Sequence, residues 1–97
     1  MIPGRTTKLT ESTVASADSI DVKTDIVLVT GSTTVNTIVP HFGGGTASGL
    51  LIFIPTDGSV ALGTSGNILV GITAVINRAV WMTYVKSLGK WIINSGV

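Results

Sequence analysis

The sequence predicts an all-β fold: a small antiparallel β-sandwich or jelly-roll-like domain with an extended N-terminal arm. Three observations favour it. From Ile20 onward, β-branched and aromatic runs alternate with Gly, Asn, Asp and Pro, as strands alternate with turns. The centres of these runs lie about eight to sixteen residues apart, a spacing typical of sandwiches, jelly rolls and barrels. No capped apolar pattern of helical period exceeds about ten residues, so we expect little helix.

The first 19 residues, MIPGRTTKLTESTVASADS, are predicted to form the arm. They are rich in Thr, Ser and charge, and their apolar residues follow neither a two-residue nor a helical period. We therefore assign residues 1–19 to an extended or flexible arm and residues 20–97 to the β domain. A short helix beginning at Thr10 is the alternative.

The β domain is predicted to contain seven strands. The first, DIVLVTG, stops at Gly31, and the second, TTVNTIVP, ends at Pro40, which cannot donate to a ladder. The others are GLLIFIP, SVALG, GNILVG, RAVWMTYVK and KWIIN. Turn residues occur in TDGS, TSGN and SLGK, and the Asp-Gly pair of TDGS is a strong hairpin signal. The segments VTGSTTVNTIVP and LGTSGNILVGIT resemble each other, but two occurrences are too few to predict a solenoid.

Composition restricts the partners. The formal charge of +1 predicts no electrostatic footprint for nucleic acid or an anionic membrane. Charged residues are 11% of the chain, against roughly 25% in ordinary soluble domains. Between Ile26 and Asn77 the only ionised side chain is Asp57. A surface so poor in charge suggests burial between subunits.

Membrane insertion and export are not expected. The longest uninterrupted apolar run is Leu50–Ile54, far short of the roughly 20 residues of a transmembrane helix. The start, MIPGRTTKLT, lacks the apolar core of a signal peptide. Because the chain has no Cys, disulfides and thiol chemistry are excluded.

The segment HFGGGTASG raises the possibility of a phosphate-binding loop. Such a loop lies between a strand and a helix, and its nucleotide-binding form adds Lys and Ser or Thr. Here a strand follows and no Lys is near, so we interpret the glycines as a loop or bulge. His41, the single histidine, is expected to be structural. Three copies of His41 around a threefold axis are the alternative, as a metal site.

Catalysis is not predicted either. No GxSxG elbow occurs, and four of the five carboxylates lie in the polar N-terminal quarter of the chain. We expect no enzyme activity and no cofactor. The aromatic residues Trp81, Tyr84 and Trp91 lie on two late strands, where a sugar-binding platform is one interpretation. Core or subunit-contact positions are the interpretation that we favour.

The order DIVLVTGSTTVNTIVP, GGGTASGLLIFIP, LGTSGNILV, an aromatic-bearing strand and GKWIIN resembles β-rich modules of tailed-bacteriophage virion proteins. Such modules occur in tail fibres, spikes and capsid decoration proteins, and the resemblance covers residues 20 to about 95. It implies a homotrimer. It also implies a capsid decoration (cement) protein that is assembled in the host cytoplasm and stabilises neighbouring major capsid subunits on the outer surface of the phage head. The alternative is a tail fibre or baseplate component, or a receptor-binding module that contacts a host glycan.

The arm is the segment that we expect to contact the partner. An extended peptide can add to a neighbour's sheet edge or lie in a groove between capsid subunits. Ile2 and Leu9 provide apolar anchors, and Arg5 can make a bidentate bond to a carboxylate. With Pro3 and Lys8 these residues form the predicted contact.

Overall fold

The fold is built from β-strands alone in the part of the chain that the structure, a computed structural model, describes: residues 10–40 and 48–93. No helix occurs in those residues, which confirms the all-β prediction for them. The strands are β1 (Glu11–Ala15), β2 (Ser19–Asp21), β3 (Ile26–Thr30), β4 (Thr37–Val39), β5 (Gly49–Pro55), β6 (Val60–Leu62), β7 (Ile72–Ala74), β8 (Val80–Val85) and β9 (Lys90–Ile93).

The largest sheet, called the main sheet below, has five strands in the order β1-β3-β5-β8-β9. Strands β1, β3 and β5 are parallel, whereas β8 is antiparallel to both β5 and β9. The prediction of an antiparallel fold was therefore wrong for this sheet, which is mixed. The reason is the path of the chain: β2 lies between β1 and β3 in sequence, so the chain returns to the main sheet in its original direction.

Between strands of the main sheet, the chain passes through two smaller sheets. Strands β2 and β4 pair in parallel, and β6 pairs with β7 in the antiparallel sense. A parallel bridge between Val35 and Leu62 joins the segment before β4 to β6. From β1 to β6 the chain thus alternates between the main sheet and the opposite side. Each pass lies beside the previous one, as in a short winding coil.

Strand β1 lies within the predicted arm. It pairs with β3 in a register that sets Glu11 beside Ile26 and Ala15 beside Thr30. The other edge of β1 has no strand partner among the described residues. The one residue of β1 that packs against the core is Val14. Residues 1–9 of the predicted arm lie outside the described residues.

A single hydrophobic core lies between the main sheet and the segments that cross it. Alternate residues of the main sheet point into this core, among them Val27, Phe53 and Met82, which have no measurable exposure. Ile38 and Ile68 cover them from the opposite side and are likewise buried. No polar or charged residue within the described ranges is fully buried.

Two predicted turns gave different outcomes. The SLGK turn joins β8 to β9, which pair directly, and Gly89 adopts a positive φ of 63° there. The TDGS turn does not close a hairpin, because β5 pairs with β3 and β8 and not with β6. Instead, the Asp57 carboxylate accepts a hydrogen bond from the backbone N–H of Gly31, at 3.2 Å.

Candidate interaction surface

The side of the main sheet that faces away from the core is the candidate functional surface. Residues paired across a sheet point to the same side, so the row Glu11, Ile26, Ile52 and Trp81 projects together. The neighbouring row of Ser12, Val27, Phe53 and Val80 points into the core. We call the outward side the outer face.

The outer face is apolar over most of its area. Its large apolar residues are Ile26, Leu28, Leu50, Ile52, Ile54, Trp81, Val85 and Ile92. Leu50 and Trp81 are 53% and 49% exposed, whereas Ile52, which is central among them, is only 9% exposed. A solvent-facing side of a sheet ordinarily carries polar residues in alternation, so this composition makes the outer face a candidate contact surface.

Charge is confined to the two edge strands of the outer face. Glu11 lies on β1 and Lys90 on β9, and the Lys90 ammonium donates a hydrogen bond to the Gly66 carbonyl at 2.9 Å. The polar residues between them, such as Thr83, are uncharged. If a partner covered the centre of the outer face, no ionised side chain would therefore lose its hydration.

The three aromatic residues separate into two roles. Trp91 is fully buried and Tyr84 is 7% exposed, and their rings meet edge to face with centroids 5.2 Å apart. The Trp91 indole N–H donates to the Ile38 carbonyl at 2.9 Å. Tyr84 and Trp91 are therefore core residues, while Trp81 projects from the outer face.

A ladder of polar side chains follows the winding on the opposite side of the core. Asn36 donates from Nδ2 to the Asp18 carboxylate at 2.8 Å. Asn67 accepts from the backbone N–H of Ile38 at 2.8 Å and donates to the carbonyl of the same residue at 2.7 Å. Because these side chains bond neighbouring passes of the chain, they stabilise the fold.

Several predicted site residues lie outside the described residues. These are Ile2, Pro3, Arg5, Lys8, Leu9 and His41, together with the three consecutive glycines. In residues 10–40 and 48–93 no group of three or more His, Asp or Glu side chains could hold a metal ion. Those same ranges contain no helix of the length and apolarity needed to cross a membrane.

The charge-poor composition predicts a surface buried between subunits, but not which residues form it. The signal was present in Leu50–Ile54, because five consecutive large apolar residues must present apolar side chains to both sides of a sheet. Ile26 and Leu28 on β3 complete the apolar surface. Their part in it can be recognised only when β3 and β5 are known to be neighbours.

Comparison of the chain with protein-family models, with curated proteins and with solved structures found no match.

Proposed function

We propose that this chain is a structural component of an assembled particle and associates with other subunits through the outer face. The observation that carries the proposal is the exposure of Leu50 and Trp81 on a face whose charges are restricted to its edges. Exposed apolar faces of this kind are uncommon on monomeric proteins and commonly mark interaction sites. The partner that we propose first is a second copy of the chain, in a homotrimer.

The particle is proposed to be a tailed-bacteriophage virion, which rests on the sequence resemblance over residues 20 to about 95. The first candidate role is capsid decoration, in which the trimer stabilises neighbouring major capsid subunits from the outside of the head. In this role the predicted contacts Ile2, Pro3, Arg5, Lys8 and Leu9 bind the capsid surface. The sandwich or jelly-roll arrangement and the extended arm remain predictions.

A tail fibre or baseplate component is the second candidate, and the winding of the chain favours it. Passes that stack side by side can be continued by further passes, which suits an elongated appendage. In a receptor-binding module, exposed Trp81 would supply the flat apolar surface against which a glycan ring packs.

Location on intact particles separates the two roles. We expect purified virions to carry a label against this chain over the head, and recombinant protein to bind heads that lack it. Deletion of residues 1–12 should reduce head occupancy, and sedimentation of the same variant shows whether the oligomer persists. Labelling at the tail, together with retention on a glycan array that is lost in Trp81→Ser, would replace the first role with the second. Absence from the virion would reject both.

A further inference from the structure

Strand β1 presents one edge of backbone hydrogen-bonding groups that pairs with no other strand in the part of the chain that the structure describes. Thr10 accepts a hydrogen bond from Ile26 N–H at 3.0 Å, and Ser16 N–H donates to the Thr30 carbonyl at 2.8 Å. In a parallel ladder the residues that bond to the neighbour alternate with residues that face away. The N–H and C=O groups of Glu11, Thr13 and Ala15 therefore point outward from the sheet.

The opposite edge of the main sheet is partly covered. On β9, the Trp91 N–H donates to the Asn67 carbonyl at 2.7 Å, and the Leu69 N–H donates to the Trp91 carbonyl at 3.0 Å. A strand added to the main sheet therefore finds a regular edge at β1. This edge also lacks the Lys, Pro and bulges that commonly protect edge strands.

The region around the β1 edge is acidic. Glu11 lies on the strand, Asp18 follows it in the turn, and Asp21 is on β2. Asp21 pairs with Lys23 at 2.9 Å, and neither Glu11 nor Asp18 has a cationic partner among the described residues. Pairing of β1 with β1 of another copy would bring these carboxylates together, whereas a basic segment would be attracted to them.

The chain itself contains a segment of matching chemistry. Residues 1–9 carry Arg5 and Lys8 and no carboxylate. The other two segments outside the described residues, 41–47 and 94–97, contain neither Lys nor Arg. Residues 1–9 also precede β1 directly, so every copy brings one donor segment and one acceptor edge.

We propose that residues 1–9 of one copy add as a strand to the β1 edge of a second copy, outside Glu11, Thr13 and Ala15. This inference rests on the self-association proposed above and identifies its second contact. The donor segment and the acceptor edge are different surfaces, so the contact is head-to-tail. In a closed ring such as a trimer, the β1 edge of every copy is paired with residues 1–9 of a neighbour. Backbone hydrogen bonds provide affinity, and the attraction between Arg5 or Lys8 and Glu11 selects the segment.

The sharpest test is substitution of Thr13 by Pro in the full chain. The Thr13 N–H points away from β3, so proline removes one outward donor at the centre of the edge and leaves the β1–β3 bonds in place. Thr13→Val, which retains that N–H, is the matched control. In sedimentation over a micromolar series we expect Thr13→Pro to weaken association about tenfold or more. Equal association of the two variants would overturn the proposal.

A charge test covers the case in which Thr13→Pro does not fold. Arg5→Glu with Lys8→Glu should weaken association to a similar extent, and addition of Glu11→Lys should restore part of it. Failure of both effects would overturn the proposal. A wild-type monomer would do the same, because the segment would then have no second copy to bind. Neither result affects the location of the protein on particles, which tests the proposed function separately.

Discussion

The side-chain amide of Asn67 makes the two hydrogen bonds to Ile38 that the backbone of a neighbouring strand would otherwise make. Its Oδ1 accepts from the N–H of Ile38 and its Nδ2 donates to the Ile38 carbonyl, so the loop before β7 is attached to β4 without a regular ladder. The Ile38 carbonyl also accepts the indole N–H of Trp91. One backbone group on β4 thereby connects a loop and the last strand to the core.

Substitution of Asn67 by Leu should destabilise the fold by about 2–4 kcal/mol, because two hydrogen bonds are lost and Ile38 is left with an unpaired N–H. Urea unfolding followed by circular dichroism measures this free energy. Ser65→Ala, at an exposed position in the same loop, is the control and should change stability by less than about 0.5 kcal/mol. Equal stability of the two variants would show that the amide is dispensable.

The two tryptophans allow a matched comparison. Trp91→Phe replaces a buried indole by a smaller ring and removes the hydrogen bond to Ile38, so we expect a loss of about 2–4 kcal/mol in the free energy of unfolding. Trp81→Phe changes an exposed ring and should cost less than about 1 kcal/mol. Comparable losses for both, in the same urea titration, would contradict the assignment of Trp91 to the core.

The loop between β6 and β7 must approach β4 closely, and Gly66 permits it. A Cβ at Gly66 would overlap the backbone carbonyl of Asn36 and the hydroxyl of Thr37. We expect Gly66→Ala to lower the thermal midpoint, with a cost of about 1–3 kcal/mol from overpacking. Gly58→Ala is the control, because a Cβ there would lie at ordinary contact, 3.5 Å from Ser32 Cβ. A midpoint as high for Gly66→Ala as for Gly58→Ala would refute the close approach.

Six of the nine strands lie within segments predicted from the sequence: β3, β4, β5, β6, β8 and β9. The seventh predicted segment, GNILVG, was wrong, because β7 begins only after it, at Ile72. Strands β3, β5, β8 and β9 are central or cover the core, so they consist of β-branched, large apolar and aromatic residues. Strand β1 was missed because an edge strand with one buried neighbour needs little apolar surface, and Glu11–Ala15 resembles a loop in composition. A central strand can be recognised from its own residues. An edge strand such as β1 can be recognised only when the strand with which it pairs is known.

The pairing of strands could not be predicted because it depends on the path of the whole chain. Parallel pairing of β1, β3 and β5 requires the chain to cross the core between visits, and no short-range pattern records that crossing. The Asp-Gly pair of TDGS illustrates the point: it has hairpin chemistry, yet β5 is already flanked by β3 and β8. The outer face was unrecognised for the same reason, since its rows form only when these strands are adjacent.

Charged residues are unevenly distributed along the chain. Four of its five carboxylates precede β3, and the described cations other than Lys23 follow β7. Of the intervening strands, β3 and β5 carry apolar residues on both sides, so one side packs in the core and the other contributes to the outer face. A monomer exposes this face, and the self-association proposed above would remove it from water.

Trp81→Lys and Leu50→Lys test association through the outer face directly. Each introduces a cation where an exposed apolar residue now lies, and burial of an unpaired charge in an interface is unfavourable. We expect each variant to weaken self-association about 30-fold or more, as at an interface hot spot, while the circular dichroism spectrum is retained. Leu88→Lys makes the same chemical change at 54% exposure in the β8–β9 turn, outside the strands that form the outer face, and should associate as wild type does. If the Leu88 variant dissociates as readily as the other two, added charge alone is responsible, and the outer face is not the interface.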